Sequence, residues 1–301
     1  MRSGVRVKIR YFIENALVRL TVMALSPLPF AAISWIARRF GDLAYLIMSK
    51  RRTVALGNLE RAFGNSLSPE RKEHLARKAF RHTALSIVEL YFVRKLAREA
   101  HKRFTFHGFE YHEEAFAKGR GVILVISHLG SWEYLSFLPY LKGTPSCVVV
   151  KSIKNPLLDR QIDSLRRVMK VDPVAKKSSS KKILTELKAN HLAAILIDQW
   201  AGPEGLWTTF FGHLTSTTSI PARLAKKTGA VLLPAACIRT GDWKYEIRFE
   251  KPVDVAPGDA WERETTEALN RLLEEEILRT PDQWTWGHKR WKPRPASLRE
   301  A

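Results

Sequence analysis

Cysteine is scarce in this chain: Cys147 and Cys237 are the only two among 301 residues. Neither has metal-ligand spacing, and two thiols make no disulfide framework, so a reducing compartment fits. Both lie in apolar runs that read as strands, with no evident base beside them, and they read as core residues. Also missing are a low-complexity tract, a sustained heptad and a repeat of fixed period. Acids are in short supply, with 30 Asp+Glu against 50 Lys+Arg and a formal charge of +20. Such a balance implies an anionic partner.

The charge is uneven. Residues 1–52 hold ten Lys or Arg and two acids, Glu14 and Asp42, set among Leu, Ala, Ile, Phe and Trp. A nucleic-acid arm is polar throughout, so this segment reads as membrane-facing. No charge falls in the eighteen residues from Leu20 to Ala37, near the minimum for a bilayer span. Pro27 and Pro29 interrupt it, each removing a backbone donor. A broken helix, a shallow hairpin and an interfacial helix all remain open. Arg6, Lys8, Arg10 and Arg19 precede the stretch, and Arg38, Arg39, Lys50, Arg51 and Arg52 follow it. No small-x-small site follows a compact apolar core, which argues against a cleaved signal. We expect a retained membrane anchor over 1–52 and the main domain over 53–301, on the cytoplasmic side.

With 45% hydrophobic residues the chain can bury a substantial core. Ser68 as N-cap and Pro69 at the first helical position predict a long helix over 69–98. Apolar runs at 122–127, 146–150, 192–197 and 230–238 read as strands, and alternation over 245–251 reads as an edge strand. Helical segments fall between them, near 131–141, 155–170, 180–190 and 218–228, with a last helix over roughly 260–280. This alternation predicts an α/β fold, a mostly parallel central sheet flanked by helices. Sites in such sheets gather at the carboxyl ends of strands. His128 and Asp198 both stand at such ends.

"ISHLGSWEYL" (126–135) places Glu133 five residues after His128. Nine histidines and acids at about one position in ten give about one such pair by chance, and only His128 has one. Context decides more. His128 closes a strand, Gly130 permits close approach or an unusual backbone angle, and Ser131 can cap the next helix. With Ser131 as cap, the box acid would fall at Tyr134, so Glu133 has no capping-box role. Locally, a catalytic base with its carboxylate and a helix-start acid beside a half-buried histidine both remain open.

Several stretches together resemble a known family, the bacterial lipid A biosynthesis acyltransferases of the lysophospholipid acyltransferase superfamily. "SHLGSWE" looks like its His-x4-acid motif, and "KNPLLDRQIDSLRR" (154–167) is similar to its Asn-Pro segment followed by an arginine. "ILIDQWAGPEG" and "TTFFGHLTSTTSIPARLAKKTGAVLLP" resemble its Asp-Gln, Phe-Phe-Gly and Thr-Gly-Ala blocks. "RTPDQWTWGHKRWKPRP" (279–295) resembles its C-terminal signature. Arg167 beside Arg166, "VMKVDP" without a following glycine, and Pro221 depart from the pattern.

The resemblance implies a glycerolipid acyltransferase-like fold and transfer of a fatty acyl chain from acyl carrier protein to a hydroxyl of a lipid A precursor. It implies His128 as base, Glu133 fixing the imidazole tautomer, and Arg166, Asp198 and Gln199 in substrate binding, with neither metal nor cofactor. The expected partners are acyl carrier protein, an anionic glycolipid and membrane lipids, at the cytoplasmic face of a bacterial inner membrane, and not nucleic acid. Another glycolipid acceptor such as a phosphatidylinositol mannoside, acyl-CoA as donor, or a non-catalytic lipid-binding role are the rivals. "HKRWKPRP" is expected to be a basic tail, solvated or meeting sugar phosphates or the carrier, with Trp286 and Trp291 at the membrane interface. "AKKSSSKK" (175–182) reads as a basic loop without chemistry.

Overall fold

The computed structural model describes residues 2–150, 152–175 and 179–293. Helix α1 (Arg2–Leu25) ends before the two prolines, and α2 (Phe30–Ile47) begins after them, so the uncharged stretch is a broken helix. Among the described residues no helix is long and apolar enough to cross a membrane. Next comes α3 (Ser49–Phe63), which runs through residue 52. Helix α4 (Pro69–Tyr91) starts as its sequence dictates, with Ser68 Oγ accepting from the Arg71 amide at 3.3 Å. It breaks at Phe92, giving the short α5 (Val93–Ala97) and α6 (Ala100–Arg103).

Helices α2 and α4 meet backbone to backbone, because a Cβ on Gly41 would lie 2.5 Å from Arg81 Cα. Asp42 sits in that contact and accepts from Arg77 and Arg81. Burial alone would raise its carboxyl pKa, but the two arginines hold it below the ordinary 3.8. The first fifty residues thus include a helix that is part of the core packing.

The remaining elements are β1 (Phe104–His107), α7 (Phe109–Ala117), β2 (Val122–Ile126), a 3-10 helix (Trp132–Phe137), α8 (Leu138–Lys142), β3 (Ser146–Val150), α9 (Pro156–Val168), β4 (Val171–Ala175) and α10 (Ser179–Lys188). They continue with β5 (Leu192–Leu196), β6 (Leu206–Phe210), β7 (His213–Thr217), α11 (Ile220–Thr228), β8 (Val231–Gly241), β9 (Lys244–Phe249) and α12 (Trp261–Arg279). Seven strands form one sheet in the order β1-β9-β8-β2-β5-β3-β4. Every neighbouring pair is parallel except β8 with β9. The expected α/β architecture is observed. The alternating segment, β9, is not the edge; β1 pairs beyond it.

Central β2 is buried at every residue, as a strand covered on both faces must be. Val122, Leu124 and Ile126 enter one hydrophobic cluster, and Ile123 and Val125 the other. A two-stranded hairpin, β6–β7, stands apart from the sheet. Asn270 on α12 donates to the Thr209 carbonyl and holds it there. Part of the basic run, residues 176–178, lies outside the described residues. Its continuation enters α10, where Lys182 pairs with Glu186.

Candidate active site

The parallel pairing of β2 with β5 sets the site. Ile126 lies opposite Leu196, so continuing two residues along each strand brings His128 beside Asp198 at the carboxyl edge. The Asp198 carboxylate accepts His128 Nδ1–H on Oδ1 at 2.8 Å. Its Oδ2 accepts the His128 backbone N–H and the Trp284 indole N–H, each at 2.9 Å. Burial opposes ionisation of this carboxyl, yet the histidine's charge and these donors pull its pKa from 3.8 to about 2. A carboxylate can only accept, so Nδ1 carries the proton and neutral His128 presents a lone pair at Nε2. Gln199 Nε2 lies 3.3 Å from that nitrogen, oriented to donate.

For His128 the same forces run the other way. Burial disfavours the imidazolium, but the charge and hydrogen bond of Asp198, with help from Glu133, raise the pKa above 6.5. The His128 side chain keeps 22% of its surface exposed and that of Asp198 only 2%. The imidazole is reachable from outside, and its partner is not.

Glu133 does not take the tautomer-fixing role expected of it. Nδ1 is already occupied, and the Glu133 carboxylate accepts two hydrogen bonds from Arg166, Nε at 3.0 Å and Nη2 at 2.8 Å. Arg166 also donates to Asp163 at 3.0 Å. Despite burial, these acids raise the guanidinium's pKa, so it stays charged. The adjacent Arg167 turns outward to Asp172, which identifies Arg166 as the site arginine. Asn155 caps α9 by accepting from the Leu157 amide at 3.0 Å, and its own amide reaches Glu14 on α1.

Gly130 makes the turn possible. Its φ is +60°, and a Cβ there would lie 2.2 Å from the Cys237 carbonyl oxygen. Ser131 does not cap the following helix with its side chain. Its hydroxyl instead donates to Glu89 and accepts from Arg239, which forms a buried ion pair with Glu89 at 2.6 Å. Burial pushes Cys147 up to about 12 and raises the Cys237 pKa as well, so neither thiol is a ready nucleophile.

The C-terminal signature corrects another expectation. Trp284 and Trp286 are buried in the core, and Trp291 is half-buried with its indole donating to the Phe210 carbonyl. None of them forms a membrane belt. The segment is a strap over the end of β2: Thr285 donates through both its N–H and hydroxyl to the His128 carbonyl. Arg290 is fully buried, and burial pushes its pKa down to about 10. It donates to the carbonyls of Gln199 and Ser216, tying the Asp198–Gln199 segment to β7. Residues 294–301 of the expected tail lie outside the described residues. Trp284, Thr285 and Arg290 went unrecognised as site-builders because a run rich in Lys, Arg and Trp looks like surface.

His128, Trp132, Glu133 and Arg166 form the polar end of a cavity of about 210 Å³. Apart from Ser136 and Ser146, the rest of its wall is apolar and includes Leu124, Ile126, Val148, Leu192, Ala194 and Leu196. The structure therefore joins an oriented imidazole, a held arginine and a largely apolar cavity.

The chain is 27% identical over 280 residues to the lipid A biosynthesis lauroyltransferase of Escherichia coli K12, covering 90% of this chain and 89% of that one. It is 25% identical over 275 residues to the palmitoleoyltransferase of the same pathway and organism, covering 89% and 87%. A phosphatidylinositol mannoside acyltransferase of Mycobacterium tuberculosis matches over 203 residues at 27%, covering 66% and 62%. Among solved structures, the 1-acyl-sn-glycerophosphate acyltransferase of Thermotoga maritima covers 85% of this chain and 100% of its own, at 16% identity and a TM-score of 0.38. The sequence model of the bacterial lipid A biosynthesis acyltransferases matches residues 4–293, and the chain belongs to that family.

Proposed function

We propose that this enzyme, acting at the cytoplasmic face of a bacterial inner membrane, moves a fatty acyl chain from acyl carrier protein to a hydroxyl of a lipid A precursor. The observation that carries this reading is the pairing of the Asp198–His128 dyad with the apolar cavity that opens at His128. The acceptor hydroxyl attacks the thioester carbonyl while His128 Nε2 takes its proton. The tetrahedral intermediate then expels the thiolate, which leaves with that proton. Such base assistance is worth about 10²–10⁴ in rate. Asp198 holds the reactive tautomer and stabilises the imidazolium, as a triad carboxylate does.

The amides of His128, Gly130 and Ser131 are already bonded to Asp198, Gln283 and Cys237. The developing oxyanion must therefore find other donors, and Arg166 at the cavity mouth suits that role. Glu133 acts through Arg166, whose plane it fixes with two parallel bonds. The donor's acyl chain lies in the cavity.

Association with a membrane surface draws support from the exposed side chains. Among the described residues, thirteen of the eighteen large exposed hydrophobics fall between Val7 and Met48, including Phe12, Leu20, Met23, Trp35 and Ile47. Arginines and lysines lie among them, as at an anionic lipid interface. The acceptor rests on the relatives: the Escherichia coli lauroyl- and palmitoleoyltransferases of lipid A biosynthesis match over 89–90% of the chain and the mannoside enzyme over 66%.

Detergent-purified protein, wild type and His128→Ala, is incubated with acyl carrier proteins bearing different chains and a lipid A precursor, and products are read by mass spectrometry. Acyl gain by wild type and none by the variant is expected. No gain with any donor would refute the reading. Gain with acyl-CoA or a phosphatidylinositol mannoside instead would reassign the substrates.

A further inference from the structure

Gln199 has two sides. One touches His128 Nε2, and the other helps line a second cavity of about 390 Å³ that the donor slot does not include. Its outer walls are Ala44 and Met48 at the end of α2 and Phe80, Ala84 and Ile87 on α4. Its inner end is polar, formed by Gln199, Thr285 and His288. We propose that this groove holds a hydrocarbon chain of the acceptor lipid, so that the hydroxyl it delivers arrives at His128 Nε2 past Gln199. The inference rests on the lipid acyltransferase reading and extends it to the acceptor's site.

Three observations fix the occupant. First, the groove runs into exposed apolar surface: Met48 and Ile87 on its rim are 45% and 54% exposed, beside Leu43, Leu46 and Ile47 on α2. A lipid in a bilayer facing α2 could slide one chain in without carrying it through water. The donor's acyl chain arrives on a water-soluble carrier and enters the other cavity instead. Second, the polar end of the groove lies toward His128. An apolar groove ending in amide, hydroxyl and imidazole groups beside His128 Nε2 fits a chain that bears a hydroxyl. Burial pushes His288 down to about 4, so it meets the lipid as a neutral ring. Third, the inner wall is built stiffly. Arg51 donates to the Gly287 carbonyl at 2.9 Å, and Asn58 donates to the carbonyls of Trp286 and His288 at 2.8 and 2.7 Å. Gln199 is exposed and stands between the groove and His128.

Ala84→Trp and Ala44→Trp would fill the groove. With full-length enzyme, acyl carrier protein as donor and a lipid A precursor in mixed micelles, each should raise the acceptor's KM by about tenfold or more and the donor's KM by less than about twofold. An unchanged acceptor KM in both, or an equal rise for the donor, would overturn the assignment. Because a tryptophan could disturb the α2–α4 contact, a second measurement needs no turnover and changes only an exposed residue of the rim. The photoreactive analogue p-benzoylphenylalanine at the exposed position of Ile87 should crosslink the precursor. Crosslinking to a labelled donor acyl chain instead would refute the proposal. If wild type transfers nothing yet the precursor crosslinks, the enzymatic reading fails and the groove stands.

Discussion

Replacing Asp198 with asparagine would test the dyad by inverting it. Two donors, the His128 backbone N–H and the Trp284 indole N–H, converge on Oδ2, while Oδ1 faces His128 Nδ1. An asparagine must therefore keep its oxygen at the Oδ2 position and turn its NH₂ toward the imidazole. Nδ1 then has to accept, the ring proton moves to Nε2, and the lone pair that takes the hydroxyl proton is gone. The same inversion in serine protease triads costs about 10⁴ in kcat. An independent electrostatic reckoning points the same way. Opposite charges about 4 Å apart attract by about 4 kcal/mol at an effective dielectric near 20, worth about 10³ in rate at 1.36 kcal/mol per decade. We therefore expect Asp198→Asn to lower single-turnover transfer by about 10³–10⁴. Its fold should persist, since the side chain keeps its shape and both Oδ2 donors. The assay is acyl transfer from acyl carrier protein to a lipid A precursor, read by mass spectrometry, with circular dichroism confirming the fold. Activity within about tenfold of wild type in the folded variant would refute the Asp198 role.

Four further outcomes follow from the same geometry. The Glu133–Arg166 pair predicts that Glu133→Gln and Arg166→Gln each impair transfer, with the double variant losing less than the single losses added together; strict additivity in the double-mutant cycle would separate the two residues. The base reading predicts that kcat/KM rises with pH through a value above 6.5, His128 being protonated and inactive below it; a flat profile from pH 6 to 8 would oppose it. On stability the sign differs: Asp198, lowered from 3.8 to about 2, contributes about 2 kcal/mol that is present above its unfolded pKa and lost as pH falls through about 2, which acid denaturation of wild type against Asp198→Asn would reveal. Gly130→Ala should destabilise by about 1–3 kcal/mol, since it must strain a +60° φ and meet the Cys237 carbonyl; an unchanged melting temperature would show that the turn relaxes freely.

Much of the scaffold was legible because its residues carry local signals. The buried strands announce themselves as apolar runs, and α4 opens on Ser68 and Pro69 with the cap bond those residues imply. The β6–β7 hairpin gave no such signal. Its two turn residues, Phe211 and Gly212, have φ of 50° and 71°, and a phenylalanine there conceals a turn that Asn-Gly would advertise. The strap at 281–291 was misread for a related reason. Composition marks it as basic and interfacial, whereas the buried Trp284 and Arg290 find their hydrogen-bond partners, Asp198 and the Ser216 carbonyl, in distant segments.

The spacing of His128 and Glu133 takes on a different meaning once the strand order is known. Both His128 and Asp198 were recognisable as strand-end residues, but nothing local says that β5 lies next to β2. That neighbour relation puts a carboxylate seventy positions away against Nδ1. The acid five positions on serves another purpose. Gly130 turns the chain sharply enough for the 3-10 helix to begin at Trp132, and Glu133 in its first turn looks across to Arg166 on α9. His128 comes from the strand and Glu133 from the helix, and both end at the mouth of the same cavity. A histidine, a tight turn and an acid at this interval therefore describe the two sides of a cavity mouth. In the mechanism we propose, one side moves the proton, and the other holds the arginine that faces the developing charge.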